Sequence, residues 1–164
     1  MKIKTNVTSI ELSKGDLVNL LSTATFGDDT FSIWVDDECK ALKGNEDECR
    51  EEKWANVLLL GGHICVGVME AGEANREEVF NESKFYEDNE CYIEEFDGTF
   101  PNESLFVPYY KVTLERIKQA FIEIIESDKY PKQHFDNLFI DDCGDFTDAW
   151  CLLQYIVFGE VIYG

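Results

Sequence analysis

The sequence predicts an α+β fold: a single domain of about four helices packed with a mixed or antiparallel sheet of about 4–6 strands. Three observations predict it. The chain has 164 residues, 45% hydrophobic and 13% aromatic, enough to bury one real core. Short β-branched runs are interspersed with stretches of helical periodicity. Internal repeats, low-complexity tracts and inter-domain linkers do not occur, so residues 1–164 read as one unit.

Ile3 to Leu12 has the β-branched content of a strand. Ser13, followed three positions later by Asp16, resembles a helix start, and Leu17, Leu20, Leu21 and Ala24 follow at helical spacing. Thr30 to Val35 reads as a second strand. Glu46 to Leu60 reads as a helix whose first turns are crowded with acids, where the macrodipole favours them, and Gly61-Gly62 ends it. His63 to Met69 suits a central strand. Residues 71–104 lack a clean period and read as a surface insertion with a strand or hairpin around Cys91-Tyr92-Ile93. Leu105 to Val112 looks like a strand that Pro108 pushes towards an edge or a bulge.

Thr113 can cap the clearest helix, with Leu114, Ile117, Phe121, Ile124 and Ile125 on one face; Pro131 bounds it. His134 falls in an expected loop. Thr147 or Asp148 starts a last helix that runs to Phe158 and stops at Gly159. That helix is apolar almost all round, so it is central or packs against a second subunit. Trp150, Leu153 and Val157 are its candidate interface residues, with a homodimer as the expected assembly. Val161-Ile162-Tyr163 suits a final edge strand.

Charge is the unusual property. Thirty-four acids face fourteen Lys and Arg, a formal net charge of −20. Residues 28–103 hold 22 of the acids and only six Lys or Arg, so most of the excess lies in less than half the chain. Phosphate backbones and anionic membranes would be repelled, which argues against direct nucleic-acid or membrane binding. Basic proteins and basic clefts are attracted. The first residues lack the apolar region of a signal peptide, and the longest apolar stretch is too short for a membrane span. With six cysteines, two of them inside apolar runs, the expectation is a reduced, cytoplasmic protein.

No motif carries chemistry. Structural zinc sites show paired ligands two to four residues apart, and no C-x-x-C occurs. Cys39 and Cys49 are ten apart, with His63 beyond an expected helix, so no metal or other cofactor is expected. Asp141 to Asp148 fails the calcium-loop order and reads as a helix-capping turn. His63 and His134 are the only imidazoles, and a Cys–His pair has no local mark for either. G-x-S-x-G, Walker A and G-x-G-x-x-G are absent. No catalytic residue is assigned.

The acidic stretches remain as a candidate surface for a partner: Asp36, Asp37, Glu38, Glu46, Asp47, Glu48, Glu51, Glu52, Glu77, Glu78, Glu87, Asp88, Glu94 and Glu95. For any one cluster a solvated, soluble surface is the plain reading. Together they have a scale. Duplex DNA carries one charge per roughly 1.7 Å, so a charge of −20 matches roughly 34 Å of duplex. A chain of this length is about 40 Å across. The charge therefore permits nucleic-acid mimicry, provided that the acids share one face.

Leu20-Leu21-Ser22-Thr23-Ala24, Trp54-Ala55 through Gly62, and Tyr109 to Glu115 give the chain a resemblance over most of residues 3–127. It resembles small acidic α+β proteins of gut bacteria and their phages or mobile elements. The resemblance implies an accessory or anti-defence role and carries over no functional residue.

The leading functional expectation is a non-catalytic acidic binding protein that docks on a basic protein, in its narrower form a nucleic-acid-mimicking inhibitor. The alternative is an assembly protein that oligomerises through residues 149–158. A divalent-cation-dependent hydrolase is the second alternative.

Overall fold

A capping box opens the first helix. Ser13 Oγ accepts from the Asp16 amide at 3.2 Å, and the Asp16 carboxylate accepts from the Ser13 amide at 2.8 Å. The computed structural model describes residues 9–26, 31–68, 91–96, 105–127, 131–141 and 143–161, with backbone only at 68, 91–96 and 105–108. In chain order the elements are α1 (Lys14–Ala24), β1 (Phe31–Trp34), a 3-10 turn (Lys40–Leu42), α2 (Arg50–Leu59), β2 (His63–Val68), β3 (Cys91–Phe96), β4 (Leu105–Thr113), α3 (Leu114–Ser127), α4 (Lys132–Phe139) and α5 (Phe146–Phe158). The class is α+β, with five α-helices among the described residues where about four were expected. The sheet is antiparallel throughout, in the order β1-β2-β4-β3, and the described residues hold no fifth or sixth strand.

Side chains alternate across the sheet. Phe31, Ile33, Ile64, Val66, Tyr110 and Val112 join the helices in the core. The direct partners Trp34, Cys65 and Lys111 form a row on the other face, with Tyr109 beside them. From the helices the core receives Leu17, Leu20 and Leu21, Trp54 and Leu58, Ile117, Phe121 and Ile124, and most of α5. Apolar burial on this scale is the main stabilising force of the domain.

Several expectations need correction. Residues 9–12 of the expected Ile3–Leu12 strand are irregular, and the rest lies outside the described residues. Helix α2 begins at Arg50, not Glu46. Glu48 is engaged elsewhere, accepting from Lys14 Nζ and Asn56 Nδ2 at 2.6 Å each and from the Asn45 amide at 3.2 Å, which holds 45–48 in a turn. Strand β4 is interior, not an edge. Pro108 is tolerated because the β2–β4 ladder ends at Gly67–Tyr109, so Pro108 pairs only with Ile93 of β3.

His134 lies on α4, a short helix that sequence periodicity could not show. Burial of Phe135 and Leu138 and a Lys132–Asp136 ion pair at 2.6 Å hold it. The last helix starts at Phe146, ahead of the expected Thr147 or Asp148, because Asp145 is its cap and Asp148 completes the box from the third position. Gly159 ends it with φ +79°, a conformation glycine adopts freely. Leu153 (1% exposed) and Val157 (0%) are buried in the chain's own core, and Trp150 is partly buried beside Phe146. The apolar character of α5 thus goes largely into the chain's own core, and Leu153 and Val157 are not exposed to a second subunit. Val161 is not in a strand, and 162–163 lie outside the described residues. No described helix is long and apolar enough to cross a membrane.

Candidate functional site

Polar chemistry concentrates where β1 ends. The chain leaves Trp34 and turns through Asp36, Asp37 and Glu38 to Cys39, where the 3-10 turn begins. The Cys39 amide donates to the Asp36 side chain at 3.2 Å and to its carbonyl at 3.3 Å, which fixes this turn. Helix α2 then carries the chain back. Gly61, at φ +84°, ends it and delivers His63 to the start of β2, next to the turn. Gly62 is needed for the close approach: a Cβ there would lie 2.8 Å from Leu42, 2.9 Å from Val57 and 3.1 Å from Cys39 Sγ.

His63 therefore stands between a thiol and a carboxylate. Its Nδ1 is 3.4 Å from Cys39 Sγ, and its Nε2 is 2.8 Å from Asp36 Oδ2. The His63 amide also faces Cys39 Sγ at 3.4 Å. From β4, Lys111 Nζ reaches Asp36 Oδ2 at 3.3 Å and Glu38 Oε2 at 2.9 Å. Burial pushes the Asp36 carboxyl up, but the bonds from His63, the Cys39 amide and Lys111 outweigh it and hold the group below the ordinary carboxylate range. The Glu38 carboxylate, with Asp36, holds the Lys111 ammonium well above its ordinary value despite burial. At neutral pH the cluster thus carries ionised Asp36 and cationic Lys111.

In front of this cluster lies a cleft of about 520 Å³, lined by Trp34, Val35, Asp36, Asp37, Glu38, Tyr109 and Lys111. The Trp34 and Tyr109 rings, 5.1 Å apart and tilted, form its apolar wall. Three carboxylates and one ammonium leave it net negative. Cys39 and His63 are not among its lining residues.

The acids expected to bind a partner are put to different uses. Asp37 (side chain 97% exposed) and Glu38 project at the cleft rim, and Glu46 and Asp47 are exposed on the following turn. Glu48 is the clamp between α1 and α2 described above. Glu51 pairs with Arg50 at 2.9 Å, and Glu52 caps α2 by accepting from the Cys49 amide at 3.0 Å. Glu77, Glu78, Glu87 and Asp88 lie outside the described residues, as do the side chains of Glu94 and Glu95. The five described cysteines (Cys39, Cys49, Cys65, Cys143 and Cys151) are free thiols.

The second histidine forms another aspartate pair. His134 Nδ1 is 2.7 Å from Asp148 Oδ1, which also accepts from Asn137 Nδ2 at 3.0 Å. Burial raises the Asp148 carboxyl, but the Asp145 amide, His134 and Asn137 more than offset this and lower it. The pair ties α4 to the cap of α5 and does not line the cleft, so it reads as a structural joint.

Sequence reading missed the Asp36–Cys39–His63 grouping because 24 residues separate Cys39 from His63. One signal was present: Asp36 and Cys39 are three apart, a common ligand spacing, but no second pair accompanies it. Comparison with protein-family models, curated proteins and solved structures finds no match.

Proposed function

We propose that this protein is a non-catalytic binding module that docks on a basic protein surface, with the cleft beside Trp34 and Tyr109 seating a cationic side chain of the partner. The observation that carries the reading is the cleft's composition. Two aromatic rings and three carboxylates, against the single Lys111 ammonium, surround a space of about 520 Å³. A guanidinium is well matched to such a place, because it stacks on aromatic faces and bonds carboxylates in pairs. A net charge of −20 adds steering, drawing a basic partner in and repelling nucleic acid itself. Cys39 and His63 are not among the lining residues, which supports a binding role over a thiol–imidazole chemistry in the cleft.

Calorimetric titration with a short arginine-rich peptide tests this reading. Binding should weaken steeply as salt rises through the range in which the screening length falls from about 10 Å to about 3 Å. Trp34→Ala should weaken it about fivefold to tenfold, the loss of one cation–π contact. Binding that ignores both salt and Trp34 would refute the reading.

A further inference from the structure

We infer that Asp36, Glu38, Cys39 and His63 form a binding site for a divalent transition-metal ion of the zinc type. The inference rests on the grouping of donors around the His63 imidazole. Asp36 Oδ2 lies 2.8 Å from its Nε2, Glu38 Oε2 3.9 Å and Cys39 Sγ 4.0 Å. Single donor atoms of Asp36, Cys39 and His63 all lie within 4.8 Å of one another. In a tetrahedral zinc site, with bonds of about 2.0 Å to N or O and about 2.3 Å to S, neighbouring donors stand about 3.3 to 3.5 Å apart. Asp36 Oδ2 is within this reach of Nε2, whereas Cys39 Sγ lies nearer Nδ1, at 3.4 Å against 4.0 Å. The imidazole ring therefore turns for one ion to meet both, and Glu38 swings in as the outer ligand.

The donor chemistry selects the ion. A thiolate and an imidazole favour zinc, cobalt or copper, whereas magnesium and calcium prefer a shell made of oxygen donors. Burial is graded in the same sense. Cys39 is 5% exposed, the His63 and Asp36 side chains 15% and 20%, and Glu38 71%. The soft ligand is inside and the hard, movable one outside, which gives the ion an entry path from the Glu38 side. Positive charge already occupies this place, since Lys111 Nζ bridges the Asp36 and Glu38 carboxylates. A metal ion would displace that ammonium into the cleft.

The ion takes one imidazole nitrogen and leaves the ring proton on the other. The Cys39 thiol gives up its proton to solvent as the metal–sulfur bond forms, so metal uptake releases acid. A nucleophilic Cys39 is the less favoured use of the same atoms, because the residue is 5% exposed and does not line the cleft.

The test uses the full chain, stripped with a chelator. It is titrated with Zn²⁺ against a chromophoric competitor and separately with Co²⁺ as a spectroscopic probe. A single equivalent should bind, with proton release and a thiolate-to-cobalt charge-transfer band. Cys39→Ser should abolish the band, and His63→Gln should weaken affinity by more than the about hundredfold lost with outer-shell partners. Lys111→Met should strengthen it about tenfold, since it removes a competing cation. Cys143→Ser, an exposed thiol elsewhere, should change nothing. Far-UV circular dichroism confirms that each variant is folded. No stoichiometric binding by the wild type would overturn the inference, as would a band that survives Cys39→Ser.

Discussion

The molecule has two histidines and sets each against an aspartate, His134–Asp148 at 2.7 Å and His63–Asp36 at 2.8 Å. The pairs differ in what surrounds them. Asp148 is 6% exposed, accepts from the Asp145 amide and from Asn137, and so joins α4 to the start of α5. Asp36 is shared among His63, Lys111 and the Cys39 amide, and it borders a cleft with an aromatic wall. The same two residue types make a strut in one place and a chemically rich rim in the other. Neighbours decide the role, not the pair.

Breaking the strut should cost the most. Asp148→Ala removes a cap and leaves polar groups of His134 and Asn137 without their acceptor, so it should destabilise the fold by about 2–4 kcal/mol. Urea unfolding would show this as a lower midpoint at unchanged slope. Gly62→Val comes next, at about 1–3 kcal/mol, because added carbons meet Leu42, Val57 and Cys39. Asp36→Asn should cost about 1 kcal/mol, since its site is more open and its neighbours can turn to water.

Acid sharpens the comparison further. Both aspartates are held below their ordinary pKa in the folded chain. Each therefore adds stability above about pH 4, and that contribution is lost as pH falls through the lower folded value. Lys111 behaves oppositely. Its raised value contributes fully below about pH 10 and is lost only as pH rises beyond that. Stability should thus fall on the acid side, and the fall should shrink in Asp148→Ala. Urea midpoints followed from neutral pH down to about pH 2 would check it.

Much of the fold was legible because it depends on local rules. Ser13 with Asp16, Gly61-Gly62, Thr113 and Gly159 mark helix ends through contacts within a few residues, and Ile117, Phe121 and Ile124 share a face at helical spacing. The departures arose where distant residues decide. Glu48 left helix α2 for Lys14, α4 is held by burial of Phe135 and Leu138, and Pro108 sits where one ladder stops. The candidate site is of this second kind. Asp36, Asp37 and Glu38 were visible as acids, but Cys39, His63, Lys111 and the Trp34–Tyr109 wall meet only once three strands pair.

The smallest effect on stability, and the most direct on function, should come from reversing charge at the rim. Asp37→Lys with Glu38→Lys changes net charge by as much as Glu115→Lys with Glu126→Lys on α3, and each pair should move stability by no more than about 1 kcal/mol. The decisive measurement is the affinity of the arginine-rich peptide for these two double variants at one salt concentration. The rim pair should lose about tenfold or more while the α3 pair stays within about threefold of the wild type. Equal losses in both would mean that charge alone attracts the peptide and that the cleft does not seat it.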